Sequence, residues 1–371
     1  MSQDPGWGAN GALDIQILCP SSSTLLYMVS CVMPPATHTS SPLVSPTLGN
    51  SMRIVSLVPS ATEIVASLGL SQYVVGRSHE CDYPPEIAHL PACTRPVFQA
   101  GGTSASIDDR VSYLVTSALS IYELDLKLLR TLNPSHILTQ DRCEVCAVSL
   151  GEVEASLSDL GLVQTQVVSV KPKRLDDVWS DIRRIGKVLC VDGNSLANNL
   201  ARRVESIARQ SQSAVRPLLK RVVCLEWADP LYCSGGWLPD LVDAAGGTEV
   251  IGKAGLDANP IEWSTLTQAD PDVLIFAPCG FNLARACDDL SLLRSKSEWQ
   301  DLRAVKTGEM YVVDGNQYFS RPGPRLVESV EILAEILHPA DFNFGPREKR
   351  WTRIEGLSDS EPTVTTNPMV V

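Results

Sequence analysis

The sequence lacks long apolar runs and an excess of positive charge. No stretch of about 18 consecutive apolar residues occurs, so no transmembrane helix is predicted. The formal net charge of −12 at pH 7 argues against nucleic acid as a partner, because phosphate binding requires a basic surface. At 371 residues the chain is long enough for two domains of ordinary globular composition.

Lys and Arg are absent from the first 51 residues. A secretory signal needs a positively charged region ahead of its apolar stretch, so no signal peptide is evident. We therefore expect a cytoplasmic protein, with a periplasmic or extracytoplasmic location as the alternative. Residues 1–51 and 343–371 show no periodicity and predict disordered extensions. Met52, directly before the first predicted strand, is an alternative start to Met1.

The sequence also lacks the short motifs of common enzymes. It contains no nucleophile elbow, no paired-glycine phosphate loop and no HExxH segment. We therefore expect a binding protein and not an enzyme.

Strands alternate with helices in two parts of the chain, residues 53–172 and 218–340, which predicts βαβ units and parallel sheets. Between them, residues 173–217 hold one helical pattern without proline from Leu175 to about Gln212, which Gly193 and Asn194 could break into two. Such a helix would span about 55 Å at 1.5 Å per residue. The expected fold is α/β, with two Rossmann-like lobes joined by a single long helix and a ligand cleft between the lobes.

Two local predictions bear on the cleft. Ser60 and Glu63 have the spacing of a capping box at the start of the first helix, after Pro59 ends a strand. A further helix is predicted from Ser112 to Leu132.

Four short motifs carry a family resemblance. They are Val58-Pro59-Ser60-Ala61-Thr62-Glu63, Asp82-Tyr83-Pro84-Pro85, Ser234-Gly235-Gly236 and Arg321-Pro322-Gly323-Pro324-Arg325. In this order and spacing, residues 53–340 resemble the helical-backbone (class III, iron/B12-type) substrate-binding proteins of ABC importers, and in particular the vitamin B12 (cobalamin) binding proteins.

The resemblance implies that aromatic side chains of both lobes hold a corrin ring and that Arg321 bonds its carboxamides. Flat rings supply large apolar area at low entropic cost. The alternative is that these aromatic side chains belong to the core. The candidate ligand-binding residues are Ser60, His79, Glu80, Asp82, Tyr83, Phe98, Trp227, Trp237, Trp263, Tyr318 and Arg321.

Cysteines near the expected cleft depart from the cobalamin binders. Cys81 with Cys143, Cys146 and His79 would suit zinc or another soft metal. His79 could instead ligate the cobalt of the corrin as a neutral imidazole. A redox pair of Cys143 and Cys146 and buried, inert cysteines are the remaining readings. No resident cofactor is predicted with certainty, and cobalamin enters as the ligand.

The resemblance also implies an ABC permease as partner, contacted by an acidic side chain from each lobe. Glu123 or Asp125 would serve in the first lobe, whereas Gln268 stands where an acid is expected in the second.

Competing ligands are haem, a siderophore or a metal ion. Siderophore binders of this class use arginine clusters against anionic ligands. Only two basic residues, Arg321 and Arg77, are expected at the cleft here, and this small number favours a neutral ligand.

Overall fold

The computed structural model describes residues 52–97, 102–116, 121–141, 148, 150–213, 219–346 and 349–354. The first lobe contains strands β1 (Ile54–Ser56), β2 (Val74–Arg77), β3 (Thr94–Pro96), β4 (Tyr122–Leu124), β5 (His136–Gln140) and β6 (Gln166–Val170), and helices α1 (Pro59–Ser67), α2 (Ser104–Thr116), α3 (Leu126–Leu132) and α4 (Leu150–Leu160). Its main sheet has the order β2-β1-β5-β6, with all neighbours parallel. β3 and β4 form a separate antiparallel pair.

Two helices, α5 (Leu175–Val188) and α6 (Gly193–Ser213), lead to the second lobe. That lobe contains strands β7 (Lys220–Trp227), β8 (Tyr232–Cys233), β9 (Gly247–Glu249), β10 (Asn259–Pro260), β11 (Val273–Phe276), β12 (Met310–Val313) and β13 (Trp351–Ile354), and helices α7 (Leu238–Ala244), α8 (Trp263–Ala269), α9 (Leu283–Arg294), α10 (Arg303–Lys306) and α11 (Leu326–Leu337). β9, β7, β11 and β12 pair in parallel, whereas β8, β10 and β13 pair antiparallel.

Fully buried apolar runs form the central strands of both sheets. Ile54 and Val55 in β1 and all four residues of β11 are inaccessible to solvent, as expected for parallel strands covered on both faces. The largest apolar cluster includes Ile64 of the first lobe, Val178 of α5 and Val330 of the second lobe. The two lobes therefore share a continuous core through the helix pair.

The two-lobed α/β architecture is confirmed, but the prediction of one unbroken connecting helix is wrong. Arg183 Nη2 donates to Asn198 Oδ1 at 3.0 Å, although the residues are 15 apart in sequence. In a continuous helix they would be roughly 22 Å apart along the axis, so α6 folds back along α5. A Cβ on Gly193 would lie 2.5 Å from Ile182 O, so this close approach requires glycine.

The helix predicted from Ser112 to Leu132 is also wrong. α2 ends at Thr116, Tyr122–Leu124 forms β4, and α3 begins at Leu126. The Asp125 side chain accepts from Leu128 N at 2.9 Å and so caps the start of α3. A strand of three residues is too short to interrupt the helical periodicity of the sequence.

The second lobe extends beyond the predicted boundary at residue 340. Residues 351–354, expected to be disordered, form β13 and pair with β12. The carboxylate of Glu335, which is buried in α11, accepts from Arg350 Nη2 at 2.9 Å and from Trp351 Nε1 at 3.1 Å. This buried acceptor secures a polar stretch whose composition gives no sign of order. Within the described ranges, no helix combines the length and apolar character needed to cross a membrane.

Candidate functional site

The carboxyl ends of the parallel strands in the two sheets face each other. In the first lobe, the loop after β2 carries residues 78–83, and in the second lobe the segment after β12 carries residues 314–321. Asp82 and Arg321 of these two segments form an ion pair. Ligands of open α/β sheets bind outside the carboxyl ends of the strands, so this boundary is the candidate site.

Arg321 lies buried at this boundary, with 7% of its surface exposed. Its Nη1 donates to Asp82 Oδ1 at 2.5 Å and lies 3.5 Å from Glu63 Oε1. Its Nη2 donates to Asn316 Oδ1 at 3.0 Å and approaches Glu80 O at 3.4 Å. Both terminal nitrogens are therefore engaged by the protein, and the contact of Arg321 with ligand carboxamides stays a prediction.

Glu63 pairs with Arg325 across the same boundary and does not form the predicted capping box. Arg325 Nη2 and Nε donate to the two oxygens of Glu63 at 2.6 and 2.9 Å. Helix α1 begins at Pro59 after the N-cap residue Val58, which makes no side-chain capping bond. The capping interpretation is wrong because a buried carboxylate gains more from a guanidinium with two parallel hydrogen bonds than from one backbone N–H.

Two predicted aromatic residues, one from each lobe, contact Arg325. The guanidinium lies 4.0 Å from the ring centre of Tyr83 and 5.6 Å from that of Tyr318. Tyr83 is 41% exposed, and Tyr318 is half-buried. The structure thus brings these two rings together around Arg325, which was not among the predicted ligand-binding residues.

His79 and Glu80 form a second polar group within the first lobe. His79 Nδ1 lies 2.8 Å from Thr94 Oγ1, and the imidazole stands 5.3 Å from the ring of Tyr122. Tyr122 also donates to Glu80 Oε1 at 3.3 Å. Burial and, to a lesser extent, the charge of Arg77 lower the pKa of His79, which favours the neutral imidazole.

The proposed soft-metal group is only partly within the described residues. Cys81 is fully buried, accepts from Thr62 Oγ1 at 3.0 Å, and has a pKa that burial raises to about 11. A thiol with such a pKa is a poor metal ligand, because the thiolate is the ligating form. Cys143 and Cys146 lie outside the described residues. In the part of the chain that is described, no three His, Cys, Asp or Glu side chains are grouped to hold a metal ion.

Trp227 ends β7 and is half-buried beneath α2. Its Nε1 donates to Ser104 O at 3.2 Å, and its ring is 5.2 Å from Phe281. Helix α2 belongs to the first lobe in sequence, yet Ile107 joins the second lobe's core. Asp289 of α9 accepts from the N-terminal Ser104 N at 3.2 Å. Contacts with segments distant in sequence therefore fix one face of Trp227, and no local pattern predicts them.

The remaining predicted ligand residues have different surroundings. Trp237 donates to Phe319 O at 2.8 Å and packs on the shared core. Trp263 begins α8 and borders the core of the second lobe. Ser60 is 1% exposed, and Phe98 lies outside the described residues. Trp237 and Trp263 are both half-buried, and the ligand contacts of all four residues stay predictions.

The two acids predicted to contact a permease do not share a helix. Glu123 lies in β4 and pairs with the exposed Arg95 of β3. Asp125 caps α3. Gln268 lies in α8 as expected. The surface of the first lobe thus presents Glu123 as one half of an exposed ion pair.

Sequence reasoning missed four residues of the site, and a signal existed for one of them. Arg325 belongs to the same quoted motif as Arg321 and directly precedes α11. Glu63 was assigned to a local cap, and its partner lies 262 residues away. Thr94 and Tyr122 carry no local pattern that marks them, because their roles arise from the pairing of β3 with β4.

Two α/β lobes with facing strand ends, joined by a helix pair, define a solute-binding protein of the two-lobed class. A family model described as periplasmic binding protein matches residues 54–316, and the chain belongs to this family. It is therefore a substrate-binding protein of the ABC-transporter type.

Relatives and solved structures agree with this assignment. An uncharacterized ABC transporter substrate-binding lipoprotein, YvrC, of Bacillus subtilis is 24% identical over 302 residues, covering 78% of this chain and 81% of the relative. A vitamin B12-binding protein of Vibrio cholerae is 21% identical over 288 residues, covering 77% and 88%. A periplasmic heme binding protein from Pseudomonas aeruginosa shares the fold with a TM-score of 0.60 at 18% identity, covering 78% and 94%.

The expectation of a cytoplasmic protein is wrong. It rested on the lack of a basic region near the start of the sequence, whereas the family is one of periplasmic binding proteins and the Bacillus relative is a lipoprotein. A charge pattern at one end of a sequence is weaker information than a match that extends over most of the two lobes.

Proposed function

We propose that the protein binds cobalamin or a related corrinoid between its two lobes and delivers it to an ABC permease outside the cytoplasm. The observation that carries the proposal is a boundary that combines flat aromatic rings with arginines whose charges are already neutralised. The similarity to a vitamin B12-binding protein supports the same ligand class.

The aromatic residues supply the apolar part of the site. Tyr83 and Tyr318 approach from opposite lobes, while Trp227 and Trp263 border the second lobe's core. Ligand sites are lined mainly by apolar and aromatic side chains with a few fixed polar groups. A macrocycle with a broad face suits rings contributed by two lobes, because closing the lobes covers both faces.

The charges at the boundary favour a neutral ligand over an anionic one. Arg321 and Arg325 are each paired with carboxylates, Asp82 and Glu63. Arg77 donates to the backbone oxygens of the segment around Leu90. Recruiting Arg325 for an anionic ligand would leave the buried carboxylate of Glu63 without its partner, which is costly. The carboxamides of a corrinoid are neutral and can be bound without separating these ion pairs.

Haem is the second candidate, supported by the shared fold with the Pseudomonas haem binder. Haem carries two carboxylates and would need cationic partners at its edge. Because Arg321 and Arg325 are already paired with the carboxylates of Asp82 and Glu63, haem ranks second as a candidate ligand.

The test is retention of ligand by the purified full chain. The protein is incubated separately with aquocobalamin, cyanocobalamin and haemin, desalted, and examined by visible absorption. Stoichiometric retention of a corrinoid, with haemin washed out, is the expected result. Retention of haemin alone would replace the proposal by the second candidate, and retention of neither would refute both.

A matched variant controls for nonspecific adsorption. Val163 is 74% exposed and precedes β6, at the edge of the sheet opposite the candidate site. Val163→Ala is expected to retain the same amount of corrinoid as the wild type, whereas Trp227→Ala is expected to retain less.

A further inference from the structure

The imidazole of His79 is held through one of its two nitrogens. Nδ1 lies 2.8 Å from Thr94 Oγ1, and the backbone N–H of His79 donates to the same oxygen at 3.1 Å. Thr94 Oγ1 donates its hydrogen to Ser78 Oγ at 3.1 Å. Because a hydroxyl has a single hydrogen, an arrangement with that hydrogen directed at Ser78 matches the neutral tautomer in which Nδ1 carries the proton and Thr94 Oγ1 accepts it.

The other nitrogen, Nε2, keeps its lone pair. The nearest carboxylate oxygen, Glu80 Oε1, is 3.9 Å away, which is beyond hydrogen-bonding distance. The His79 side chain is 24% exposed. A neutral imidazole with a bound Nδ1–H and an available Nε2 has the arrangement of a metal-ligating histidine, whose second nitrogen is oriented by a protein oxygen.

The loop that carries His79 is fixed at the boundary between the lobes. Arg77 Nη1 donates to Ser78 O at 2.9 Å, and Arg77 Nη2 donates to Ala88 O at 2.8 Å. On the other side of His79, the carbonyl of Glu80 is approached by Arg321 Nη2 of the second lobe at 3.4 Å. The imidazole is therefore positioned before a ligand arrives.

We infer that His79 Nε2 is an axial ligand for the cobalt of the bound corrinoid, and that Thr94 and Ser78 are positioning residues that set the required tautomer. This inference rests on the proposed function, because it concerns how the same site holds its ligand. Ligation by His79 would give corrinoids with an exchangeable axial water a higher affinity than corrinoids whose axial position is blocked.

Ligation is an exchange at cobalt(III). The lone pair of Nε2 forms a Co–N bond, the Co–O bond to water breaks, and the neutral water leaves. Neither a proton nor an electron changes partner, so no co-reactant is required.

The experiment compares visible spectra of aquocobalamin and cyanocobalamin bound to the wild type and to His79→Ala. The wild type is expected to shift the bands of aquocobalamin and to leave those of cyanocobalamin, whose axial position is occupied, unchanged. His79→Ala is expected to bind aquocobalamin more weakly than the wild type, because the Co–N bond is lost, and to leave the bands of both bound corrinoids unshifted. Free imidazole added to the His79→Ala complex is expected to restore the shifted bands, which separates a missing ligand from a misfolded loop.

Variants of Thr94 test the positioning role. Thr94→Val, which keeps the shape and removes the acceptor, is expected to weaken aquocobalamin binding about 10–100-fold, as loss of an orienting partner does at metal sites. Thr94→Ser is expected to resemble the wild type. Cyanocobalamin affinity should change little in either variant. Equal aquocobalamin affinity in Thr94→Val and the wild type would overturn the role of Thr94.

The outcomes distinguish this inference from the proposed function. If a corrinoid is retained and its bands are the same in the wild type and His79→Ala, axial ligation is overturned while corrinoid binding stands. If the wild type retains no corrinoid, both fall. His89→Ala is the matched control, because His89 is exposed in the segment after the same loop; it should show the wild-type shift.

Discussion

The two ends of the loop between residues 78 and 83 differ in the partners that they contact. At one end, His79 contacts Thr94 and Tyr122 within its own lobe. At the other end, Asp82 pairs with Arg321 of the second lobe, beside the buried pair of Glu63 and Arg325. Only two residues thus separate His79, a partly exposed group suited to a ligand, from Asp82, which joins the lobes.

The difference shows that burial, and not residue type, decides what a charged side chain does here. The pair of Glu63 and Arg325 has side chains that are 1% and 8% exposed, whereas the pair of Glu123 and Arg95 has 49% and 78%. Both are carboxylate–guanidinium pairs. Only the first is removed from water, so only there does the loss of one partner leave an uncompensated charge.

The largest expected effect comes from breaking the buried pair. Arg325→Met should lower the free energy of unfolding by about 3–5 kcal/mol, because Glu63 would remain buried without its partner. Urea denaturation followed by circular dichroism measures the change. A loss below about 1 kcal/mol, the range of exposed pairs, would mean that Glu63 is solvated in solution.

The ligand side of the comparison is tested through the aromatic residues. Trp227→Ala and Trp263→Ala should each weaken corrinoid binding by about 1–3 kcal/mol, because each removes a large rigid ring. Titration calorimetry measures the affinity. If both variants bind as the wild type does, the cleft assignment of these residues is removed.

Asp82 is expected to contribute about 1 kcal/mol or less to stability, because its side chain is 55% exposed. Partial burial acts to raise the pKa of Asp82, but the hydrogen bonds and charge of Arg321 outweigh it and lower the pKa below its ordinary value. The contribution is therefore complete above the unfolded pKa of about 4 and is lost as the pH falls through the lower folded pKa.

Asp82→Asn tests that sign. The variant should be less stable than the wild type at pH 7, and the difference should shrink as the pH is lowered below about 4. Denaturation curves from pH 7 to pH 3 provide the comparison. A difference that grows on acidification would contradict the assigned direction.

The smallest effect is expected at the exposed pair. Arg95→Met should change the unfolding free energy by less than about 1 kcal/mol, and added salt should reduce even this. The same denaturation assay serves, so this variant is also the control for Arg325→Met. A loss as large as that of the buried pair would remove the distinction between the two regions.

Much of the fold could be predicted from sequence patterns. The apolar runs of β1, β5, β11 and β12 and the periodicity of α4 and α11 were recognised, because burial of one stripe or of a whole strand leaves a local pattern. The strand β4 was missed, and the break between α5 and α6 was foreseen only as an alternative to one long helix, at Gly193 and Asn194. Both interrupt a helical period only briefly, and both are stabilised by partners distant in sequence, such as Asn198 for Arg183.

The site was predicted in part. The loop with His79 and Asp82 and the segment with Tyr318 and Arg321 were recognised as facing regions, because each follows a parallel strand. Their individual partners were not, since Glu63 was predicted to cap its own helix and the ion pair of Arg321 with Asp82 was not foreseen. A carboxylate and a guanidinium more than 200 residues apart have no sequence pattern that pairs them.

The sequence alone determined the class of fold, the two lobes and the loops at their facing edges, because strand and helix periodicities are local and record which side is buried. Only the tertiary structure decided which charged residues join the lobes, that α2 lies over Trp227, and which nitrogen of His79 is available. These depend on contacts between distant segments, where a side chain's partner and its removal from water are fixed only when the chain has folded.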